Sequence, residues 1–443
     1  MASVYSKNLE VFTAKQFRES LSRDGGANVY LTFGRPAPWT NETAPPQANT
    51  SVAAVDEIWK NMIGGKRILS NDVRHGLKRH NWTANTVYIA YDHMANSLDL
   101  KNANSAFYVL TDEFNVYKCL SNNYGKVSTY KPTSTNPSGH FQTADKYIWK
   151  YMFTLTGEEQ ERFLTADYMP VKTLLTDDNS LQWQVQDNAL DGALHHIQVL
   201  TNGTGYTSNN ISVIINGDGR FANAYATRSL SNTNVANVTI DNKGSGYTYA
   251  DISFKSTHGA GATARAIISP PNGHGSDPLI ELGGSYLIIN VKIDGSEGGV
   301  ITTENDFRQI SIIQDPRNYY DDRTLSNAAF SQITKITLAQ SSTGSGYVED
   351  EIAYQGTSLA NATFRGTVAG WDSGNSIVSL TNTEGNPTSQ LLIGNTSTAA
   401  RYVSSVSYPD AKRYTGHLLY TDNITTIARA EDQSEDFKIV LSF

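Results

Sequence analysis

The chain of 443 residues contains a single cysteine, Cys119. One thiol excludes an intramolecular disulfide framework and any zinc site built from several cysteines. Stability must therefore come from burial, which a chain of this length can supply over two to four domains. Charge is also scarce, at 18% of residues, and it leans acidic, with a net charge of −8. Nucleic acid is not expected as a partner, because such a protein needs a basic face to displace counterions from phosphates. No apolar run reaches the roughly 18 residues of a membrane-spanning helix. The opening Met-Ala-Ser-Val-Tyr has neither the charged nor the apolar region of a secretion leader. A soluble, leaderless chain without a membrane partner is expected, so Asn-x-Ser/Thr triplets at Asn41, Asn81 and Asn237 carry no glycosylation message.

Catalytic constellations are missing too. There is no Gly-x-Ser-x-Gly elbow, no phosphate-binding P-loop and no His-Glu-x-x-His. Gly259-Ala-Gly-Ala-Thr-Ala264 imitates a dinucleotide fingerprint, yet it runs into alternating Ala-Thr-Ala-Arg-Ala and Pro270-Pro271 instead of a helix. His195 and His196 are neighbours on an expected strand and point to opposite faces, which is wrong for a shared metal. Asp177-Asp178 and Asp321-Asp322 read as turn residues. The chain is expected not to be an enzyme, with no catalytic, cofactor-binding or metal-ligating residues and no cofactor. A small-molecule ligand is not expected either.

What is abundant is glycine, at 34 residues, and tyrosine, whose 24 exceed Phe and Trp together. They combine in a repeated signature. Gly203-Thr-Gly-Tyr206 returns 41 positions later as Gly244-Ser-Gly-Tyr247 and again as Gly344-Ser-Gly-Tyr347, each followed by a short β-branched run. Two glycines around a polar residue permit positive φ where the chain reverses, and the tyrosine opens the returning strand. The unit reads as a small β module. A second reading lets exposed Tyr206, Tyr247 and Tyr347 stack on sugar rings, giving a carbohydrate-binding or adhesin-like surface protein.

Before the repeats, periodicity predicts a helix over 9–22, with Thr13 and Gln16 as its capping box, and a strand over 28–33. A proline-stiffened loop, Gly34-Arg-Pro-Ala-Pro-Trp39, follows. A helix over 51–63 is expected to end at Gly64-Gly65, and the basic stretch Lys66, Arg67, Arg74, Lys78, Arg79 reads as a solvated connection or a contact with an acidic neighbour. Strands are expected over 86–91, in a hairpin over 106–120, and over 147–155, where Tyr147, Trp149, Tyr151, Phe153 and Leu155 would share one face. Thr156 with Glu159 predicts a helix cap. Later strands fall at 287–293 and 307–313, and the closing 436–443 alternates as a paired strand does.

In their order these segments resemble the small dimeric baseplate wedge subunit of T-even-like contractile-tailed bacteriophages. The segments are Leu31-Thr-Phe-Gly-Arg-Pro-Ala-Pro-Trp39, the helix with Ile58-Trp59 and Met62, Lys78-Arg-His-Asn-Trp82, Tyr147-Ile-Trp-Lys-Tyr-Met-Phe153, Phe307-Arg-Gln-Ile-Ser-Ile-Ile313 with Tyr319-Tyr-Asp321, and Phe437-Lys-Ile-Val-Leu-Ser-Phe443. The resemblance implies a structural virion protein of the tail baseplate, present in the host cytoplasm during assembly. It further implies a homodimer that contacts other wedge proteins and bridges them. The expected class is mainly β with a few helices (α+β), a β-sandwich-like core carrying inserted glycine-rich β-repeat modules. Residues 1–192 would form the core, completed by 276–326 and 410–443, with 193–275 and 327–409 inserted. Candidate protein contacts or supports are Arg35 and Trp39 of the loop, Trp59 of the helix, and Arg74, Lys78 and Arg79 of the basic stretch.

Overall fold

A computed structural model describes residues 6–22, 25–95, 107–207, 210–229, 233–340 and 346–443. Met1–Tyr5, Ala106 and Gly344-Ser345, which carry parts of the expectations above, lie outside the described residues. The chain is mainly β with a few helices, and it divides into two compact units. One comprises residues 1–15, 74–288 and 440–443, the other 16–73 and 289–439.

The second unit is built on a five-stranded sheet in the order Ala329–Ser331, Met62–Ile68, Val29–Gly34, Phe307–Gln314, His417–Ile427. Its central strand is buried at every position, as a strand covered on both faces must be. The helix Val52–Asn61 starts at Ser51, whose hydroxyl accepts from the Ala54 N–H at 3.2 Å. It lays Ile58 and Trp59 against Tyr30, Ile313 and Phe330. Gly64-Gly65 do not end this helix. They sit inside the next strand, because a Cβ at Gly65 would come within 2.6 Å of the Phe330 ring and one at Gly64 within 2.7 Å of the Phe330 carbonyl. The basic stretch is accordingly two strands, Met62–Ile68 and Val73–Lys78, and not a connection.

In the first unit, Tyr108–Leu110, Asn115–Ser121, Ile148–Thr154 and Phe141–Gln142 form a four-stranded sheet. The expected single aromatic face of residues 147–155 is split. Tyr147, Trp149 and Tyr151 join one core cluster, while Phe153 and Leu155 join another. Pairing shifts between Val116 and Tyr117, opposite Phe153 and Tyr151, and the extra residue of that bulge turns the alternation over. Residues 86–91 are not a strand. Apart from an isolated bridge from Thr86 to Ser128 their backbone bonds irregularly, with the Tyr88 N–H on the Tyr147 hydroxyl at 3.3 Å and the Tyr91 N–H on the Cys119 carbonyl at 2.8 Å. The first helix runs Lys7–Ser20, so Thr13 is internal and its hydroxyl donates to the Leu9 carbonyl instead of capping. The Thr156–Glu159 capping box forms as expected.

The repeats build two modules. In the first unit, strands β1 (Leu194–Thr204), β2 (Asn210–Gly217), β3 (Arg220–Arg228), β4 (Val235–Ser245), β5 (Ala250–Lys255) and β6 (Ala260–Ile268) form one sheet in the order β4-β3-β2-β5-β6-β1. The two sequence copies, β1–β3 and β4–β6, are exchanged about the central β2–β5 pair. The first strand of each copy pairs with the third strand of the other, and matching bulges fall at Asn223/Ala224 and Thr263/Ala264. The signature tyrosines seal the exchange. Gly259 of the second copy leaves no room for a Cβ beside Tyr206, and Gly219 of the first leaves none beside the Tyr247 ring.

The second unit carries β7 (Thr334–Leu338), β8 (Ile352–Gln355), β9 (Phe364–Asp372), β10 (Ile377–Gly385), β11 (Leu391–Gly394) and β12 (Ala400–Ser407) as a closed barrel in the order β7-β10-β9-β8-β11-β12. Strand for strand this is the connectivity of the first module, with β7–β10 pairing in addition. Its second half is a fourth copy without the glycine-tyrosine signature. There the buried Gln355 side chain holds the loop instead, donating to the Thr388 and Gln390 carbonyls at 2.9 and 3.1 Å and accepting the Thr388 N–H at 2.8 Å.

Candidate functional site

Among the expected contact residues of the second unit, Arg35 and Trp39 are brought together. Arg35 has a left-handed φ of 58°, which folds the loop back so that its guanidinium stacks 3.8 Å over the Trp39 ring. The loop is tied down from below. The Trp39 indole N–H donates to the Ile424 carbonyl at 3.1 Å, and the Trp39 backbone N–H to Glu42 at 2.6 Å. Arg308, nearly buried, donates to both Glu42 oxygens at 3.0 and 3.1 Å and to the Pro36 carbonyl. Hydrogen bonds from the Thr426 hydroxyl, the Trp39 N–H and Arg308 hold the Glu42 carboxyl below its usual range. Ala37, Pro38 and Thr40 are left exposed at the tip. Trp59 is buried, packed against the sheet and tilted toward Tyr414 at 6.5 Å.

In the first unit, Lys78 is exposed at the end of Val73–Lys78. Arg79 is committed to its own fold, donating to Asn81 and to the Thr165 carbonyl at 2.8 Å each. The Arg74 guanidinium lies 5.2 Å from the Phe163 ring.

A second cluster in the first unit was not legible beforehand. His195 on β1 meets His274 and His140, with ring centroids 4.5 and 5.7 Å apart. The Lys118 ammonium lies 2.9 Å from His274 Nδ1 and pairs with Glu281, which also accepts the Gly275 N–H at 2.7 Å. Burial, and then the neighbouring cations, push His140 down to about 4 and His195 and His274 well below the ordinary histidine value. Burial likewise lowers Lys150 to about 8 and depresses Lys243. His140 and His195 border a cavity of about 580 Å³ between β1, β4 and the Phe141–Gln142 strand. His196 borders this cavity and also a second one of about 230 Å³, where Arg265 pairs with Asp92 at 2.6 Å. Sequence showed His195 and His196 only as adjacent; His140 and His274, far away in the chain, gave no shared signal.

The stacking tyrosines required by the sugar-binding reading are not at the surface. Tyr206, Tyr247 and Tyr347 are buried, each packed within its module. Among the described residues no group of His, Cys, Asp or Glu could hold a metal ion, and no helix is long and apolar enough to cross a membrane.

Comparison with known proteins places these features. Residues 8–126 match the family model described as Bacteriophage T4, Gp8. Baseplate wedge protein gp8 of Enterobacteria phage T4 is 26% identical over 195 residues, which cover 36% of this chain and 58% of that protein. The chain is similar to a T4-type baseplate wedge subunit. It spans somewhat over half of that relative's length. Arg35, Trp39, Trp59, Arg74, Lys78 and Arg79 all fall within the matched residues, and both six-stranded modules fall outside them.

Proposed function

We propose that the protein is a structural component of a phage tail baseplate wedge, without catalytic activity, that pairs as a homodimer and bridges neighbouring baseplate proteins. The observation that carries this reading is the match of residues 8–126 to the wedge family, a stretch that contains the clamped Gly34–Trp39 loop. The loop has the properties of a docking element: it is rigidified by the pair of buried Arg308 with half-exposed Glu42 and by an arginine–tryptophan stack, so little conformational entropy is lost on binding. Lys78, with Arg74 and Arg79 beside it, gives the first unit a basic patch suited to an acidic neighbour. In this reading residues 193–275 and 327–409 are insertions in a core formed by 1–192, 276–326 and 410–443, and assembly takes place in the host cytoplasm before the protein enters the virion. The test is sedimentation of the purified chain alone and with wedge proteins of the same phage. A species of twice 48.5 kDa that joins a larger complex is expected. A strict monomer that joins none would refute the proposal.

A further inference from the structure

The two modules share one connectivity and differ at one seam. In the barrel β7 and β10 pair and close the ring; their counterparts β1 and β4 do not pair. They still run side by side, with the Asn202 amide donating to the Val235 carbonyl at 2.7 Å, and residues of both line the cavity of about 580 Å³. Two strand edges, each paired on one side only, thus border this cavity, and the Phe141–Gln142 strand lines it as well.

The charges around that space do not balance. Lys118 is answered by Glu281. Lys150 donates only to the Pro137 carbonyl, at 2.8 Å, and among the described residues neither Lys150 nor Lys243 forms an ion pair. Both act on His140 and His195. His195 is partly buried, and neither of its ring nitrogens bonds to a protein group. Lys150 is buried and Lys243 half-buried, and such cations and unbonded imidazoles are stabilised by an acceptor that brings negative charge. These histidines form no group that could hold a metal ion, and an ammonium at 2.9 Å from His274 Nδ1 and two further lysines repel a cation. We propose that this cavity binds an oxyanion of the phosphate class, with His140, His195 and Lys146 at its wall and Lys150 and Lys243 supplying charge from behind. The volume exceeds that of one phosphate and leaves room for a substituent.

The test is calorimetric titration of the full chain with inorganic phosphate and with glycerol 3-phosphate at constant ionic strength. Saturable binding is expected, weakened at least tenfold in Lys243→Gln and His140→Gln. Lys146→Gln, at an exposed position, carries the same comparison if the buried variants lose their native circular dichroism. A tighter ester identifies a phosphoryl group on a larger molecule as the ligand, and equal affinities identify the free anion; either supports the site. No saturable binding of either anion, unchanged affinity in the folded variants, or binding of zinc without binding of anion would overturn it.

Discussion

At Gly65 the requirement for glycine is steric, not conformational. A methyl there would meet the Phe330 ring at 2.6 Å and Thr32 Cγ2 at 2.9 Å, both fixed in the sheet core. Gly65→Ala is therefore expected to destabilise by about 1–3 kcal/mol, measured by urea unfolding, with Phe330→Leu recovering part of the loss in the double variant. Full additivity would show that the clash is relieved elsewhere. The half-buried histidines make a separate prediction. His140 and His196 titrate at about 4 in the folded chain against an ordinary 6.5. His140 faces His195, His196, Lys150 and Lys243; His196 faces Arg265 and His140. Between those values only the unfolded chain takes up the protons, so their stability contribution is full above about pH 6.5 and falls as pH drops toward 4, by about 3 kcal/mol for each histidine. Unfolding of wild type and His196→Gln at pH 7 and pH 4.5 measures it. The variant should lose about 2–3 kcal/mol less than wild type over that interval, and an equal loss would remove the histidine from the account.

At the scale of elements, the exchange of strands between repeat copies explains what the sequence signature is for. In the first module each Gly-x-Gly-Tyr places a tyrosine on a glycine of the opposite copy, so those two copies cannot separate without exposing both rings. Gly219 has an ordinary backbone conformation, and a Cβ there would approach the Tyr247 ring to 2.3 Å. Gly219→Ala should cost about 1–3 kcal/mol, and Tyr247→Leu should offset part of it, as a double-variant cycle would read. A Gly219→Ala loss unchanged by Tyr247→Leu would break that link. The signature was legible because glycine and tyrosine are both needed at fixed spacing. The fourth copy was not, since Gln355 replaces the tyrosine seal by hydrogen bonds that no local pattern announces. The same reasoning separates the other successes from the misses. Strands such as Phe307–Gln314 announce themselves by composition, whereas the bulge opposite Val116, the glycines of Met62–Ile68 and the meeting of His140 with His195 and His274 depend on neighbours distant in sequence.

At the scale of the molecule, the barrel offers a direct test of the insertion proposal. Its chain enters and leaves side by side: Lys335 pairs with Ser407, the Asp410 N–H donates to the Ser331 carbonyl at 2.9 Å, and the Gln332 amide donates to the Ala411 carbonyl at 3.0 Å. A short linker can therefore replace residues 334–407 without stretching the five-stranded sheet, whose own cluster of Tyr30, Trp59, Ile313 and Phe330 does not include barrel residues. The ties that would be lost include the Lys60–Glu384 pair at 3.1 Å, the bonds of Arg413 to Thr383 and the bond from the buried Asn305 amide to the Ala369 carbonyl at 2.6 Å. Lys60 keeps Asp56 at 2.9 Å, and a partly exposed pair of this kind contributes about 1 kcal/mol or less. The shortened chain should fold cooperatively and sediment in the same oligomeric state as the intact one, with the same uptake into wedge complexes. If it instead unfolds or changes its oligomeric state while the intact chain dimerises, the barrel is part of the frame and of its interface, and the division into core and insertion has to be abandoned.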